Sequence, residues 1–443
     1  MSERVRFTEL LSKIIDNRGR TCPTVDDGFP LIATNCVKNS TLYPVFEKVR
    51  YVSEDTRSNW FRGHPEAGDL IFVCKGSPGQ VCLVPEPVPF CIAQDMVALR
   101  ADPDRVYPPY LFAALRSAEV QFDIGNMHVG TLIPHFKKGD FNKLFIPVPD
   151  AEMQRYIGDW HLSLERKIDL NRRMNDTLEA MAQVVFRDWF VDFGPVRRKF
   201  AGETEPVAVM GGLTADPVRA AELAALFPAS LTDEGLPAGW ADCPIGDQVE
   251  IAGGSTPSTA DDSLWSPAEH RWATPKDLSN MADLALFETG RRISSAGLAK
   301  ITSGLLPAGT VLLSSRAPIG YLAIAQEPVA INQGFIALKP TADHGSAYLY
   351  LWCRANMEAI LANANGSTFQ EISKKNFRPI TSATPDGPAI LRAFGEIAQP
   401  LIDRIVSAAR ENRTLAETRD YLLPRLMSGE VRVTQSDTES AAA

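Results

Sequence analysis

LERKIDLNRRMNDTLEAMAQVVF (residues 164–186) and LIDRIVSAARENRTLAETRDYLL (residues 401–423) are two versions of one helix, and reading them side by side decides the fold. Neither contains Gly or Pro, and each carries an apolar seam at coiled-coil spacing. Ile157, Leu164, Ile168, Leu178 and Val185 align at a constant offset of 237 with Phe394, Leu401, Ile405, Leu415 and Leu422. The tetrads Asn175-Asp176-Thr177-Leu178 and Asn412-Arg413-Thr414-Leu415 set the same register without using the apolar pattern. Asn175 and Asn412 therefore share a seam level. A buried Asn there lowers stability but enforces alignment, so two facing Asn would hold the helices in register. About 35 helical residues would make a rod of roughly 50 Å.

What precedes each helix is duplicated as well. Ile32-Ala33-Thr34 is echoed by Trp272-Ala273-Thr274, and the stretch from Ala67-Gly68-Asp69 through Lys75 to Gly79 by Ala308-Gly309-Thr310 through Arg316 to Gly320. Gln94 with Val97-Ala98-Leu99 matches Gln333 with Ile336-Ala337-Leu338, and Tyr110-Leu111 through Arg116 matches Tyr348-Leu349 through Arg354. Gly130-Thr131 through Lys138 to Phe141 matches Gly366-Ser367 through Lys374 to Phe377. The offset drifts smoothly from 241 to 236, as loop indels in a common fold produce; chance matches would scatter.

Within each copy, DLIFVCKG, VALR, TVLLSSR and GFIALKP are short apolar runs cut by Gly and Pro, and they read as strands. YLFAALRSAEVQFDI and YLYLWCRANMEAILAN run long at helical spacing. The expected class is α+β, with a mixed α/β domain at 1–150, a helix at 151–193, a connector at 194–240, a second domain at 241–383, a second helix at 384–433 and a disordered tail at 434–443. The connector is rich in Gly, Pro and Ala and leaves room for one short helix at VRAAELAALF.

Charge limits what such a chain binds. The net charge is −9, yet residues 1–200 carry 26 basic and 26 acidic side chains, so the whole deficit lies in the remainder. A nucleic-acid ligand would be held weakly by the chain alone, and a partner would supply part of the attraction. Seven cysteines without a C-x-x-C spacing argue against a disulfide framework or a zinc site. No apolar run reaches the length of a membrane span or a signal peptide, so a cytoplasmic location is expected.

Catalytic motifs are missing. Tyr107-Pro108-Pro109-Tyr110 resembles the base-gripping loop of amino-methyltransferases but lacks its leading Asn or Asp, and it reads as a Pro-Pro turn at a strand end. Gly76-Ser77-Pro78-Gly79 lacks the Gly-Lys-Ser/Thr ending of a phosphate loop and reads as a strand-to-strand turn. The six His are scattered without metal-ligand spacing. Asp26-Asp27 and Asp261-Asp262 sit among turn residues.

KIDLNRRMNDTLEAMAQVVFRDWFVDFGPVRRK (167–199) and ENRTLAETRDYLLPRLMSGEVRV (411–433) resemble the spacer helices of type I restriction-modification specificity (S) subunits. The resemblance extends to LPAGW and to ATPKDLS, read as a strand, and leaves out only 434–443. It implies two target recognition domains, each reading half of a split double-stranded DNA site, separated by two long antiparallel coiled-coil helices. It implies no active site or cofactor in this chain. S-adenosylmethionine, ATP and Mg would belong to partners, namely two copies of the modification (methyltransferase) subunit and the restriction subunits. A duplicated adaptor that never meets DNA is the rival reading.

Lys75 and Arg316 occupy matching turns after a strand, where a long cation reaches guanine acceptors or a phosphate. Thr34, Asn35, Thr131, Thr274, Asn332, Gln333, Ser367, Thr368, Gln370 and Lys374 are further candidate DNA contacts at strand ends and loops. Arg172, Arg173, Phe186, Trp189, Phe190, Arg419, Leu423, Pro424 and Leu426 are candidate partner-facing groups on the helices. On that reading, truncation after residue 410 should abolish assembly and leave both recognition domains folded.

Overall fold

A computed structural model describes residues 3–17, 21–127, 134–279, 281–316, 318–366 and 370–431. The chain divides into two compact units, one of residues 1–170 with 411–443 and the other of residues 171–410.

Among its described residues the first unit contains nine strands: β1 (Glu3–Arg6), β2 (Leu11–Asp16), β3 (Phe29–Ile32), β4 (Arg50–Val52), β5 (Leu70–Val73), β6 (Val81–Leu83), β7 (Cys91–Ile92), β8 (Met96–Ala101) and β9 (Phe145–Val148). They form three sheets, ordered β1-β9, β2-β8-β5-β6 and β4-β3-β7. The second unit repeats the plan with β10 (Trp240–Pro244), β11 (Ile251–Gly253), β12 (His270–Ala273), β13 (Ala285–Leu286), β14 (Arg291–Ile293), β15 (Val311–Ser315), β16 (Ile319–Ala325), β17 (Ala330–Ile331), β18 (Phe335–Leu338) and β19 (Thr381–Pro385). Its sheets are β10-β19, β11-β18-β15-β16-β13 and β14-β12-β17. Strand for strand the orders match among the described residues; the second unit adds β13, parallel to β16.

Strand pairing corrects one echo. Leu31 and Ile32 face Cys91 and Ile92, whereas Trp272 and Ala273 face Ala330 and Ile331. Leu31, and not Ile32, is therefore the counterpart of Trp272, an offset of 241 like that of the neighbouring strands. A slip of one residue reverses the face of every side chain, so pairing decides where letter matching cannot.

Three local expectations also change. Pro108 and Pro109 open the helix Pro108–Arg116, where a missing N–H and a fixed φ suit the first turn, so they are a helix start and not a strand-end turn. The long helical stretch after it is two helices, because Ser117 adopts an extended backbone before Ala118–Met127 begins. ATPKDLS is only partly strand: β12 stops at Ala273, and Pro275–Leu278 is a helical turn held by a Thr274/Asp277 capping box. The connector folds into three short helices, Gly194–Phe200, Pro206–Val209 and Pro217–Leu226, the last being the one legible in the sequence.

The two long helices span Ala151–Phe190 and Ala389–Ser428, 40 residues each. Each is shared between the units, divided at 170/171 and 410/411. Within the first unit Glu165 meets Arg419 and Lys167 meets Glu411, so the two helix halves run antiparallel. Within the second unit Met174 meets Arg404 and Phe186 meets Phe394, again antiparallel.

Candidate nucleic-acid interface

In the first unit several strand ends converge. Asp16 and Asn17 after β2, Cys74 and Lys75 after β5, and Gln94 and Asp95 after β7 line an open cleft of about 510 Å³ with His135, Lys137 and Lys138. Its root is stapled by backbone: the N–H groups of Cys74 and Lys75 donate to the Asp95 carbonyl (2.8 and 3.2 Å), and Phe136 N–H donates to the Cys74 carbonyl (2.8 Å). Gly76 and Gly79 supply the positive φ that the β5–β6 turn needs. Two of the cations here, Lys138 and Lys75, are already engaged. Lys138 is ion-paired to Asp16, which also lies 3.7 Å from Arg62, and Lys75 is 4.0 Å from Asp95. Burial pushes the Cys74 thiol up to about 12, so it packs as a neutral group and is no nucleophile.

The second unit builds the same frame with different charges. Ser315 N–H donates to the Gly334 carbonyl (2.8 Å) and Ile372 N–H to the Ser315 carbonyl (3.0 Å). Arg316 bridges to Glu371 as Lys75 bridges to His135. Lys374 is the counterpart of Lys138, but the position of Asp16 is taken by Gly253, as the pairings Asp16–Val97 and Gly253–Ile336 establish. A Cβ on Gly253 would come within 3.0 Å of the Lys374 side-chain end, so the lysine lies over bare backbone. Among the described residues no carboxylate pairs with Lys374, Arg316 or Arg291, the last at the start of β14 in the β14-β12-β17 sheet. Three uncompensated cations in a net-acidic half of the chain suit an anionic ligand with hydrogen-bonding groups.

Residues 22–180 and 237–386 match the family described as the type I restriction modification DNA specificity domain. The chain belongs to this family. It is 26% identical over 378 residues to the type I restriction enzyme HindI specificity subunit of Haemophilus influenzae, covering 77% of this chain and 81% of that one. It is 35% identical over 187 residues to the MjaIX specificity subunit of Methanocaldococcus jannaschii, covering 42% of this chain and 43% of the relative. A crystal structure of a type I restriction-modification S subunit from M. genitalium shares the fold, with a TM-score of 0.58 at 14% identity over 98% of this chain and 97% of that one. The chain is thus a DNA-specificity subunit, a recognition protein and not itself a catalyst.

For a specificity subunit the positions of the sequence-derived contacts are informative. Lys75, Arg316, Asn332, Gln333 and Lys374 all lie at the converging strand ends, and exposed Gln370 adjoins Glu371. Thr34 and Asn35 form a one-turn helix after β3, where the Asn35 amide donates to the Glu47 carbonyl. Thr274 is not free to read DNA: its hydroxyl and N–H both donate to Asp277 Oδ2 (2.8 and 2.7 Å). Asn332 Oδ1 accepts from Gly334 N–H (2.9 Å), and Gln333 Oε1 accepts from the Thr256 hydroxyl (2.6 Å). Thr131, Ser367 and Thr368 fall outside the described residues. Sequence reasoning missed Arg50 and Arg291, which pair with Leu31 and Trp272 at equivalent positions. The signal that could have found them was the offset of 241, which carries one onto the other.

The helix candidates need correction. Phe186, Trp189 and Phe190 are buried in the second unit among Tyr348, Phe394, Phe227 and Trp240, with ring centroids 5.0–6.0 Å apart. Leu423 and Leu426 belong to the core of the first unit. These side chains build the core and have no surface to offer a partner. Pro424 and Arg173 are exposed and Arg172 is half-buried. Asn175 is buried in the second unit and Asn412 in the first.

Arg419 is also spoken for. Glu165, 1% exposed, accepts from Arg419 Nη1 (2.5 Å) and pairs with Arg116 Nη1 (3.0 Å), itself 4% exposed. Arg116 donates further to the Val81 carbonyl and lies over the Phe112 ring at 4.3 Å. Burial acts to raise the Glu165 carboxyl, but the adjacent Arg116, with Arg419, holds it below its ordinary range. The positions corresponding at offset 237 in the second unit are Ile402 for Glu165, Ala398 for His161 and Ala182 for Arg419, all in an apolar core. There the counterpart of Arg116, Arg354, turns to Glu179 (3.3 Å) at the surface. One seam thus has two solutions, a buried ion cluster and a hydrocarbon core.

His161 sits in that cluster, 3.9 Å from Glu165, with both ring nitrogens buried and without a hydrogen-bond partner. Burial lowers its pKa to about 3, so it stays neutral in the fold. An unfolded His protonates near pH 6.5, so stability falls as pH drops below that value, by up to about 1.4 kcal/mol per pH unit. His161→Leu should flatten this loss between pH 6.5 and 4, measured by urea unfolding at several pH values; an unchanged slope would show that other groups carry it.

Proposed function

We propose that this chain reads a two-part, asymmetric double-stranded DNA site for a type I restriction-modification complex and delivers two modification subunits to it for adenine methylation, or restriction subunits for cleavage. The observation that carries this is the repetition, within one chain, of the same strand-end frame with two different sets of polar and cationic side chains. Equal frames suit equal docking on a duplex, and unequal side chains suit unequal half-sites.

On this reading residues 1–150 and 241–383 are the recognition domains, 194–240 the connector, and 151–193 and 384–433 an antiparallel coiled-coil spacer that sets the half-site separation. Facing Asn175 and Asn412 would set its register. S-adenosylmethionine, ATP and Mg act on the partner subunits, and the complex works in the cytoplasm. Among the described residues no helix is long and apolar enough to cross a membrane. In place of the buried aromatics, exposed Val184 and Tyr421 support a pair of partner contacts: they are equivalent at offset 237, one in each unit, and are 68% and 60% exposed. Mapping methylated adenines in cells that express the chain with its modification subunit tests the whole reading. A bipartite methylated motif is expected, and methylation without sequence preference would overturn it.

The charges make a further prediction. Lys374→Ala should weaken DNA binding several-fold and lower the salt slope by about one, because that lysine has no carboxylate to leave behind. Lys138→Ala should do less, since Asp16 already neutralises it. Equal losses in a salt titration would show that the ion pair opens on DNA.

A further inference from the structure

Arg291 is held differently from every other cation at the strand ends. Its guanidinium carbon lies 3.6 Å from the centroid of the Trp265 ring and 5.4 Å from that of Trp272. The two indoles meet edge to face at 5.1 Å. Each is anchored by its own N–H, Trp265 to the Ser258 carbonyl (2.9 Å) and Trp272 to the Ser255 carbonyl (3.2 Å). The platform is therefore anchored before any ligand arrives, and it seats the guanidinium over the indole face. The neighbouring arginines of the same sheet are consumed by one acid: Arg271 and Arg292 both bind Glu288, at 2.8 and 3.0 Å. Arg291 has no carboxylate partner among the described residues, although it is exposed at the edge shared with Asn332.

We propose that Arg291 is the base-reading arginine of the second recognition domain, donating from its in-plane N–H groups to the O6 and N7 acceptors of a guanine in the major groove. This rests on the DNA reading above. A phosphate contact needs charge and reach, which exposed Lys374 supplies; a planar fork seated on an aromatic face suits a bidentate base contact, because it loses little entropy on binding. Among the described residues the first domain lacks the device. Arg50 stands at the equivalent place beside Leu31, where Trp272 stands beside Arg291. On the β4-β3-β7 sheet Arg57 lies over Phe29, but it is already paired with Glu54 at 3.2 Å. The half-site read by residues 241–383 is therefore the one that owes a guanine to a stacked arginine.

The test is selection from a randomised duplex library by the full chain assembled with its modification subunit, as wild type, R291K and K374A. R291K keeps a cation over Trp265 and removes the fork. It should leave affinity for nonspecific duplex and its salt dependence within two-fold, and lower the preference for one G·C pair in one half-site about ten-fold or more, the other half-site being unchanged. A uniform loss over all sequences would make Arg291 a phosphate contact and overturn the proposal. Unchanged preference at every position in R291K, with binding weakened in K374A, would overturn it and leave the DNA reading standing. A wild type that selects no sequence would overturn both.

Discussion

Glu165→Gln should destabilise the first unit by about 3–5 kcal/mol, the range for breaking a buried ion pair from one side. The substitution leaves the volume nearly unchanged and removes the carboxylate that pairs with two guanidinium groups, of which Arg116 is 4% and Arg419 16% exposed. Arg419 retains Asp420 at 2.7 Å, at the surface, but Arg116 retains only neutral acceptors. By contrast, breaking the Arg354–Glu179 pair of the second unit through Arg354→Gln should cost about 1 kcal/mol or less, because Arg354 is 46% exposed. Urea unfolding of both variants checks the comparison. A loss below about 1 kcal/mol for Glu165→Gln would mean that water reaches the cluster and solvates Arg116.

Deleting residues 411–443 should unfold the first unit and spare the second. This reverses the expectation, drawn from the sequence, that truncation after residue 410 costs only assembly. The deleted segment carries Arg419, which neutralises Glu165, and Leu423 and Leu426, which sit in the core of residues 1–170. Burying each leucine is worth about 1.5–3 kcal/mol. With the ion pair, the loss approaches the roughly 5–15 kcal/mol that holds an ordinary domain together. The second unit keeps all of residues 171–410. Hydrogen exchange followed along the chain should show residues 3–150 unprotected and 240–385 as in the full chain. Native protection in 3–150 after truncation would show that the first unit does not need its borrowed helix.

The duplication, the strands around DLIFVCKG and TVLLSSR, the seam register at offset 237 and the lack of catalytic motifs were all legible in the sequence, because each is a property of spacing and residue type along one chain. Periodicity reports the phase of an apolar face, and repetition reports that the face was copied. Neither reports what covers the face. Phe186, Trp189 and Phe190 look like a docking surface in a linear reading; only the fold brings Tyr348 and Phe394 against them. Arg419 looks like a partner-facing group until Glu165, and Arg116 from a different helix, are placed beside it. Arg291 is one arginine among several until β12 and β14 pair and lay it on two indoles.

The sequence by itself therefore determined that there are two readers and two matched helices. The tertiary structure decided that the last turns of the second helix belong to the first reader, where a buried carboxylate holds them. The physical reason is that a helix carries its own hydrogen bonds and so can be recognised alone, whereas burial of a charge is settled only by partners distant in the chain.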